Sequence, residues 1–437
     1  MPRPRCCSCL CGADGDPELE PYSPASDFQR FDARAASESS HLHHDRLAVV
    51  GIDDFEIMKT LGRGSYGHVL QVRKRDNGVV YAMKVMAKSD VLKRNQVRHT
   101  LTERNLLQAV RHPFIVPLHF AFQTEASLYL VMEFQCGGEL FFHLRREGAF
   151  AEARVRLYAA EILLALEALH AAGYVYRDLK PENVLLDMEG HARLSDFGLA
   201  KAAVTALDSG GSTFCGTPSY MAPEVLLGTG HGKAVDWWSF GTIIFEMLAG
   251  GPPFYSRNLH AMYRAILSSE VRWPPNMSRA ARAMLAGLLT RDPLRRLGAK
   301  GSAQVRRAGF FRSLDFRRVF ARDYAPQFRP PLLGSSPSAQ ALDTSNFDEV
   351  FTAEDPQAGL VDASRHGTRT ADELSASTSG VAAPARGCEP RREGTSSSRA
   401  PEHATLSSTA NPDTAFASWG PWSSVAAGSG SSTERNR

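Results

Sequence analysis

Three glycines in the stretch Gly62-Arg63-Gly64-Ser65-Tyr66-Gly67-His68-Val69, with Tyr81-Ala82-Met83-Lys84 close behind, are of types and spacing suited to holding phosphate. Without a Cβ, glycine lets backbone amides lie over a triphosphate at close range. A dinucleotide-binding loop of the same spelling opens a helix and needs an acidic residue about 20 positions on, whereas this one leads into a strand. Lys84 then falls in reach of phosphates under the loop, and its ammonium needs a carboxylate to orient it. Glu103, on the next helical stretch, is the natural partner. Downstream stand Tyr176-Arg177-Asp178-Leu179-Lys180-Pro181-Glu182-Asn183 and Asp196-Phe197-Gly198, rich in carboxylate and amide oxygens. Taken singly, each of these has a plainer fate: a glycine hairpin with no ligand, a helix cap, a surface ion pair.

The elements that must position these side chains follow from periodicity. Phe55, Ile57 and the glycine turn, Val69-Leu70-Gln71-Val72 and Val79 to Val85 alternate as strands do. Asn77-Gly78 between the last two accepts the positive φ angles of a tight hairpin, which predicts antiparallel pairing. Val97, Leu101 and Leu107 fit a helix that carries Glu103, and Ile115 to Phe122 and Leu128 to Phe134 read as two further strands. From Ala151 the spacing turns helical, with Val155, Tyr158, Ile162, Leu166 and Leu169 in three- and four-residue steps. The expected fold is α+β: a small antiparallel sheet with one main helix, then a mainly helical lobe.

Composition bounds what such a chain does. Its 437 residues allow a sizeable core, and 43% hydrophobic with 22% charged residues excludes a wholly disordered or collagen-like chain. Fifty basic against 47 acidic residues leave +3, which argues against coating nucleic acid. No run of 18 apolar residues predicts a spanning helix, and the first residues lack the apolar stretch of a signal peptide. Residues 1–54 read as a flexible polar arm, 55–311 as one catalytic unit, 312–352 as an extension and 353–437 as a disordered tail too poor in large apolar residues to bury a core.

In this order the motifs resemble those of the protein kinases: glycine loop, strand Lys, helix Glu, R-D-x-x-x-x-N and D-F-G. The resemblance covers about Phe55 to Phe311 and implies the two-lobed kinase fold with ATP and Mg²⁺ as cofactors. By it, Leu61, Gly62, Gly64, Gly67, Val69, Lys84, Glu103, Met132 and Glu133 are expected to bind ATP, with Met132 just before the hinge residues Glu133 and Phe134. Asp196 and Asn183 supply hard oxygen ligands for Mg²⁺. Asp178 takes or orients the proton of the attacking hydroxyl, and Lys180 neutralises charge on the moving phosphoryl group. Leu107, Leu118, Tyr176 and Phe197 match a stacked apolar column, and Glu224 and Arg296 a structural ion pair. A scaffold that keeps the fold without catalysis is the alternative, but such proteins usually lack at least one of Lys84, Glu103, Asp178, Asn183 and Asp196, all present here.

The details resemble the AGC group of serine/threonine kinases, and within it the ribosomal-protein kinase branch. Tyr176 replaces the usual His, Thr213-Phe214-Cys215-Gly216-Thr217-Pro218 precedes Met221-Ala222-Pro223-Glu224, and Asn346-Phe347-Asp348-Glu349-Val350-Phe351-Thr352 is similar to the tail segment that laces across the nucleotide site. The resemblance implies that Glu139, Glu182 and Glu246, with Thr217, bind protein substrates bearing basic residues before the target Ser or Thr. It also makes Thr213 a phosphosite for an upstream activating kinase, its phosphate bound by Arg177, Lys201 and His99. Two departures stand out: Ser219 replaces a usual Glu, and Ala415-Phe416-Ala417-Ser418-Trp419-Gly420 is a degenerate tail motif with Gly420 at the phosphorylatable position.

Cys6, Cys7, Cys9 and Cys11 crowd beside Arg3 and Arg5, and the other three cysteines are far apart, as expected of a reducing, cytoplasmic setting. Acylation of such thiols would associate the chain with a membrane. Zinc is a rival through the C-x-x-C spacing of Cys6 and Cys9, and inert free thiols are a third reading.

Overall fold

The computed structural model describes residues 50–64, 67–202, 216–230, 232–334, 336–356 and 422–423. The cysteines of the N-terminal arm, Ser65 and Tyr66 of the glycine loop, Thr213 and the motif at 415–420 lie outside these residues.

The N-terminal lobe is built on strands β1 (Phe55–Gly64), β2 (Gly67–Lys74), β3 (Val80–Ala87), β4 (Leu118–Gln123) and β5 (Ser127–Glu133), paired antiparallel in the order β1-β2-β3-β5-β4. The period of two sorts β5 cleanly: Leu128 and Leu130 join the main core, while Tyr129 and Val131 face an aromatic cluster with Phe55, Tyr81, Phe120 and Phe122. Helices α1 (Lys88–Lys93) and α2 (Val97–Ala109) follow β3, and α2 turns Leu106 and Leu107 into the main core.

The second lobe holds α3 (Leu140–Glu147), α4 (Glu152–Ala171), α5 (Pro223–Leu227), α6 (Ala234–Ala249), α7 (Leu259–Ser268) and α8 (Arg279–Leu288). Nearly every residue of α4 is buried at the centre of the lobe, and its buried Arg154, Glu161 and Glu167 are paired with Glu147, His191 and Arg306. Asn258 and Ser278 cap α7 and α8 by accepting the amides of Ala261 and Ala281, which fixes where these helices start. Short pairs β6 (Tyr174–Val175) with β9 (Lys201–Ala202) and β7 (Val184–Leu186) with β8 (Ala192–Leu194) frame the loops that carry Asp178 and Asp196.

The lobe closes with α9 (Ala303–Arg306), and beyond it α10 (Phe316–Phe320), α11 (Pro337–Gln340) and α12 (Glu349–Thr352) lead an extension back along the molecule to β1. It presses close: a Cβ on Gly190 would stand 2.0 Å from the carbonyl oxygen of Phe328. Behind the hinge a chain of charges ties it in. Arg193 bonds Glu133 at 3.1 Å and faces Asp187, and Arg322 reaches Asp187 at 2.5 Å and Glu189 at 2.9 Å.

The structure corrects two expectations. The turn between β2 and β3 is longer than a tight Asn-Gly hairpin: only Gly78 has positive φ, at 70°, while the Asn77 side chain accepts the amide of Val79. Ile115 forms an isolated bridge to Leu194, and β4 begins only at Leu118. Within 353–437 the described residues include β10 (Trp422–Ser423), which pairs antiparallel with Phe120 and Ala121 at the open edge of β4. An unpaired strand edge offers free amides and carbonyls to any segment that reaches it.

Candidate active site

Between the lobes lies a cavity of about 550 Å³. Its roof is Leu61, Gly62, Gly67 and Val69, its back wall Ala82, Lys84 and Glu103, its inner side the hinge from Met132 to Gln135, and its floor Asp178, Lys180, Asn183, Leu185 and Asp196. Gly67 is required by close strand packing, since a Cβ there would meet the Val85 carbonyl oxygen at 1.8 Å. Gly62 has open space instead, and that space faces the cleft. Of the residues expected around a nucleotide, Leu61, Gly62, Gly67, Val69, Lys84, Glu103, Met132 and Glu133 all line this one cavity. Gly64 ends β1 directly above it, paired with Gly67.

Lys84 is the centre of the charge arrangement. Pairing of β3 with β2 and β5 fixes its backbone, and its Nζ bonds Glu103 Oε1 at 2.7 Å and Asp196 Oδ1 at 2.9 Å. Burial works against the ammonium, but the carboxylates of Asp196 and Glu103 outweigh it and hold Lys84 above its ordinary value. Burial likewise pushes Glu103 up, against the pull of Lys84. Asp196 is held below its ordinary value chiefly by Lys84, so it stays ionised at neutral pH.

Asp178 Oδ2 accepts from Asn183 Nδ2 at 2.8 Å and pairs with Lys180 Nζ at 3.2 Å. Its other oxygen is buried with no hydrogen-bond partner among the described residues. Asn183 spends its amide nitrogen on Asp178 twice, which leaves its amide oxygen for something else. With the ionised, half-exposed Asp196 this is an all-oxygen donor set of the kind Mg²⁺ prefers, so the residues fit the ion. Lys180 also donates to Thr217 Oγ1 at 3.2 Å, joining the floor to the substrate side.

The loop that carries Asp178 is strained and strapped. Arg177 takes a left-handed φ of 68°, costly for a side chain of its size. Asp236 of α6, fully buried, accepts both the Tyr176 amide at 2.9 Å and the Arg177 amide at 2.8 Å, and pairs with His170 at 2.7 Å. The sequence around Asp236 carries no local signal of this role. Tyr176 packs its ring on Phe197, centroids 5.3 Å apart, and donates its hydroxyl to Ser195 O at 2.5 Å. Leu107 and Leu118 are buried in the same core, so the four residues of the expected column belong to one body.

Among the acidic residues expected to meet substrate, Glu139 and Glu182 line the cleft with Thr217, but Glu246 does not. It lies on α6 and accepts the Tyr220 hydroxyl. Burial, and then repulsion from Glu182, pushes Glu139 up to about 7; Glu246 is likewise pushed up to about 7, by burial and Glu182 against the Tyr220 bond. Glu182 Oε2 is buried without a partner among the described residues. Ser219, at the departure from the family pattern, donates to Met262 Sδ at 3.5 Å.

Of the basic group expected to meet a phosphate on Thr213, Arg177 donates to Leu199 O at 2.8 Å and His99 bonds Gln96 at 2.5 Å. Helix α2, with His99, packs against β9, with Lys201. Burial first, then Arg177 and Arg98, holds His99 below its ordinary value, so it is neutral at pH 7. From the extension, Phe347 enters the cleft and stacks on hinge residue Phe134 at 5.6 Å, and Asn346 donates to Cys136 O and Pro331 O, both at 3.1 Å.

The family described as Protein kinase domain matches residues 55–306, and the one described as Protein kinase C terminal domain matches 341–382. The chain is 50% identical over 315 residues to "Protein kinase 2" of Dictyostelium discoideum, covering 72% of this chain and 64% of that protein. It is 50% identical over 307 residues to the "RAC family serine/threonine-protein kinase homolog" of the same organism, 70% of this chain and 67% of the relative. To "Serine/threonine-protein kinase gad8" of Schizosaccharomyces pombe it is 49% identical over 310 residues, 71% of this chain and 53% of the relative. The alignments thus span between about half and two thirds of these relatives.

Proposed function

The chain belongs to the protein kinase family, and on that premise we propose that it is an ATP-dependent serine/threonine kinase of AGC type that acts on proteins with basic residues before the target hydroxyl. One observation carries the reading: Lys84 is bonded at once to Glu103 and Asp196 beneath the glycine loop. In phosphoryl transfer, positioning and charge neutralisation do most of the work. Lys84 orients the phosphates of ATP, and Asp178, held by Asn183 and Lys180, orients the substrate hydroxyl and takes its proton. Lys180 offsets charge on the moving group. Asp196 and Asn183 would hold Mg²⁺, which when bound neutralises developing charge on the phosphate oxygens.

Substrate selection rests on Glu139 and Glu182, which line the cleft, and on Glu246, outside that lining but near enough to Glu182 to repel it; such carboxylates form paired charge-assisted bonds with arginine. A peptide array should show preference for Ser or Thr with Arg or Lys N-terminal to it; proline-directed or acidic preference would overturn this, and an Asp178→Asn control should be blank. The ionised carboxylate is the form that binds a guanidinium. With Glu139 and Glu246 pushed up to about 7, the KM for an Arg peptide is therefore expected to rise as pH falls through neutrality. A KM flat between about pH 8 and 6 would contradict the assignment.

Phosphate on Thr213 brings about −1.5 to −2 charge toward Arg177, Lys201 and His99. His99, neutral beforehand, gains a proton as the dianion arrives, and the three together hold α2 in the position that keeps Glu103 on Lys84. An upstream kinase is thereby the activator. Thr213→Ala should lower kcat. Full activity in the variant, with phosphate verified on the wild type, would reject the switch.

A further inference from the structure

A second cavity, of about 780 Å³, lies behind the hinge. Residues at the start of β3, the turn from β7 to β8 and the extension around α11 enclose it. Glu133, Phe134 and Gln135 line this cavity and the nucleotide cleft alike, so the hinge is a wall common to both. The apolar part of the lining is Val79, Val80, Met188, Ala341 and Leu342, with Val79 45% and Met188 36% exposed. An apolar body that enters removes this surface from water. The charges balance, Arg73, Arg193 and Arg322 against Glu133, Asp187 and Glu189, so the lining favours neither a cation nor an anion. Through them runs a hydrogen-bonded chain: Gln135 Nε2 and Arg193 both donate to Glu133 Oε1 at 3.1 Å, Arg193 faces Asp187, and Arg322 joins Asp187 to Glu189. Toward each end one group is unspent among the described residues. Gln135, 2% exposed, has an Oε1 with no donor, and Arg322 has an Nε with no acceptor. A buried polar atom left unpaired is costly until a partner reaches it.

We propose that the cavity behind the hinge is an effector site for a small neutral molecule with an apolar body, a hydrogen-bond donor at one end and a carbonyl acceptor at the other. The donor meets Gln135, the carbonyl meets Arg322, and the body lies against Val79 and Met188. An anion is disfavoured because the Arg322 charge is already matched by Asp187 and Glu189, and a cation near Gln135 would meet Arg193. The volume suits one such ligand, and an apolar lining with a few placed polar groups is what small-molecule sites share. Its effect is felt in the nucleotide cleft through the shared wall. A ligand that gives Gln135 its missing donor fixes the hinge, and a nucleotide then has less freedom left to remove, so each tightens the other. The nucleotide half of the inference rests on the kinase reading; the cavity and its ligand class do not.

The test is a ligand-detected NMR titration of the full chain with 6-acetyl-2-naphthol, a neutral aromatic with a hydroxyl at one end and a carbonyl at the other, with and without ADP and Mg²⁺. The expected Kd is about 0.1–1 mM, ordinary for a ligand of this size. Filling the nucleotide cleft with ADP should tighten it about fivefold, and by reciprocity the probe tightens ADP by the same factor. The methyl ether, which has lost the donor, 2-naphthol, which has lost the carbonyl, and 6-hydroxy-2-naphthoate, which is charged, should each bind about three- to tenfold more weakly. Met188→Trp and Val79→Trp each place a large side chain in the cavity and should weaken the probe at least about tenfold, with ADP affinity in the absence of probe unchanged. Thermal unfolding of both variants separates this loss from misfolding. Probe binding that ADP abolishes would assign it to the nucleotide cleft, and binding that survives both Trp variants would assign it elsewhere; either overturns the proposal. So does a methyl ether, a naphthol or a naphthoate that binds as well as the probe, while a Kd indifferent to ADP overturns the coupling. A chain that takes the probe in this cavity but binds no ADP defeats the kinase reading and leaves the ligand class of the site measured.

Discussion

Asp196→Asn is expected to lower phosphotransfer by orders of magnitude while leaving the fold intact. The carboxylate touches Lys84 at 2.9 Å and is half-exposed to the cleft, so no core is disturbed by losing its charge. What is lost is a fixed negative group aimed at a site where electrostatic positioning supplies most of the rate. Removing one such group commonly costs about 10²–10³ in kcat. Loss of a residue proposed to hold Mg²⁺ as well places Asp196→Asn at or beyond the upper end, and Lys84→Met should fall in the same class. The measurement is phosphate incorporation into a basic peptide, with thermal unfolding as the control for folding. Undiminished transfer by purified Asp196→Asn protein would sink the catalytic assignment.

The second large effect is on stability. Arg296 is 1% exposed and holds Glu224 through two bonds of 2.7 and 2.8 Å. It also donates to the carbonyl oxygens of Ala234 at 2.7 Å, Thr290 at 2.9 Å and Arg291 at 3.1 Å, and lies over the Trp238 ring. Arg296→Ala would leave a buried carboxylate and three carbonyls without their donor. Breaking one side of a buried pair typically costs about 3–5 kcal/mol. At about 2–4 °C per kcal/mol for a unit of this size, the melting temperature should fall by roughly 10 °C. Replacing both partners with apolar residues should recover part of that loss, because no charge is then left stranded. A fall of only a degree or two in Arg296→Ala would mean that water reaches Glu224.

What could be read from the sequence were the parts whose meaning is local or carried by an ordered set of motifs. The glycine stretch, Lys84, Glu103, Asp178 and Asp196 converge on one cleft as expected, and β1 to β5 follow their alternation. Other features were hidden because they depend on contacts between distant parts of the chain. Nothing in the letters around Asp236 says that its two oxygens hold the amides of Tyr176 and Arg177, since a carboxylate on a helix reads alike whether it faces water or a strained loop. The pairing of β10 with β4 depends on an open strand edge that only the assembled sheet reveals. The hairpin before β3 went wrong for a different reason: Asn77 satisfied the turn with its side chain rather than its backbone.

The charges behind the hinge bear on where this catalytic unit can be cut or altered. Asp187, 6% exposed, gives one oxygen to the amides of Glu189, Gly190 and His191 and the other to Arg193 and Arg322. A chain ended at 311 would lose Arg322 and with it a partner of a carboxylate that stays buried. It would also lose the Phe328 carbonyl that now forbids any side chain at position 190, although the φ of 94° would still favour glycine there. Substitutions at 190 are therefore coupled to the presence of residues more than a hundred positions later. A fusion or transplant that keeps this packing must carry the two together, and the smallest packing unit of this chain is larger than the pair of lobes that enclose its cleft.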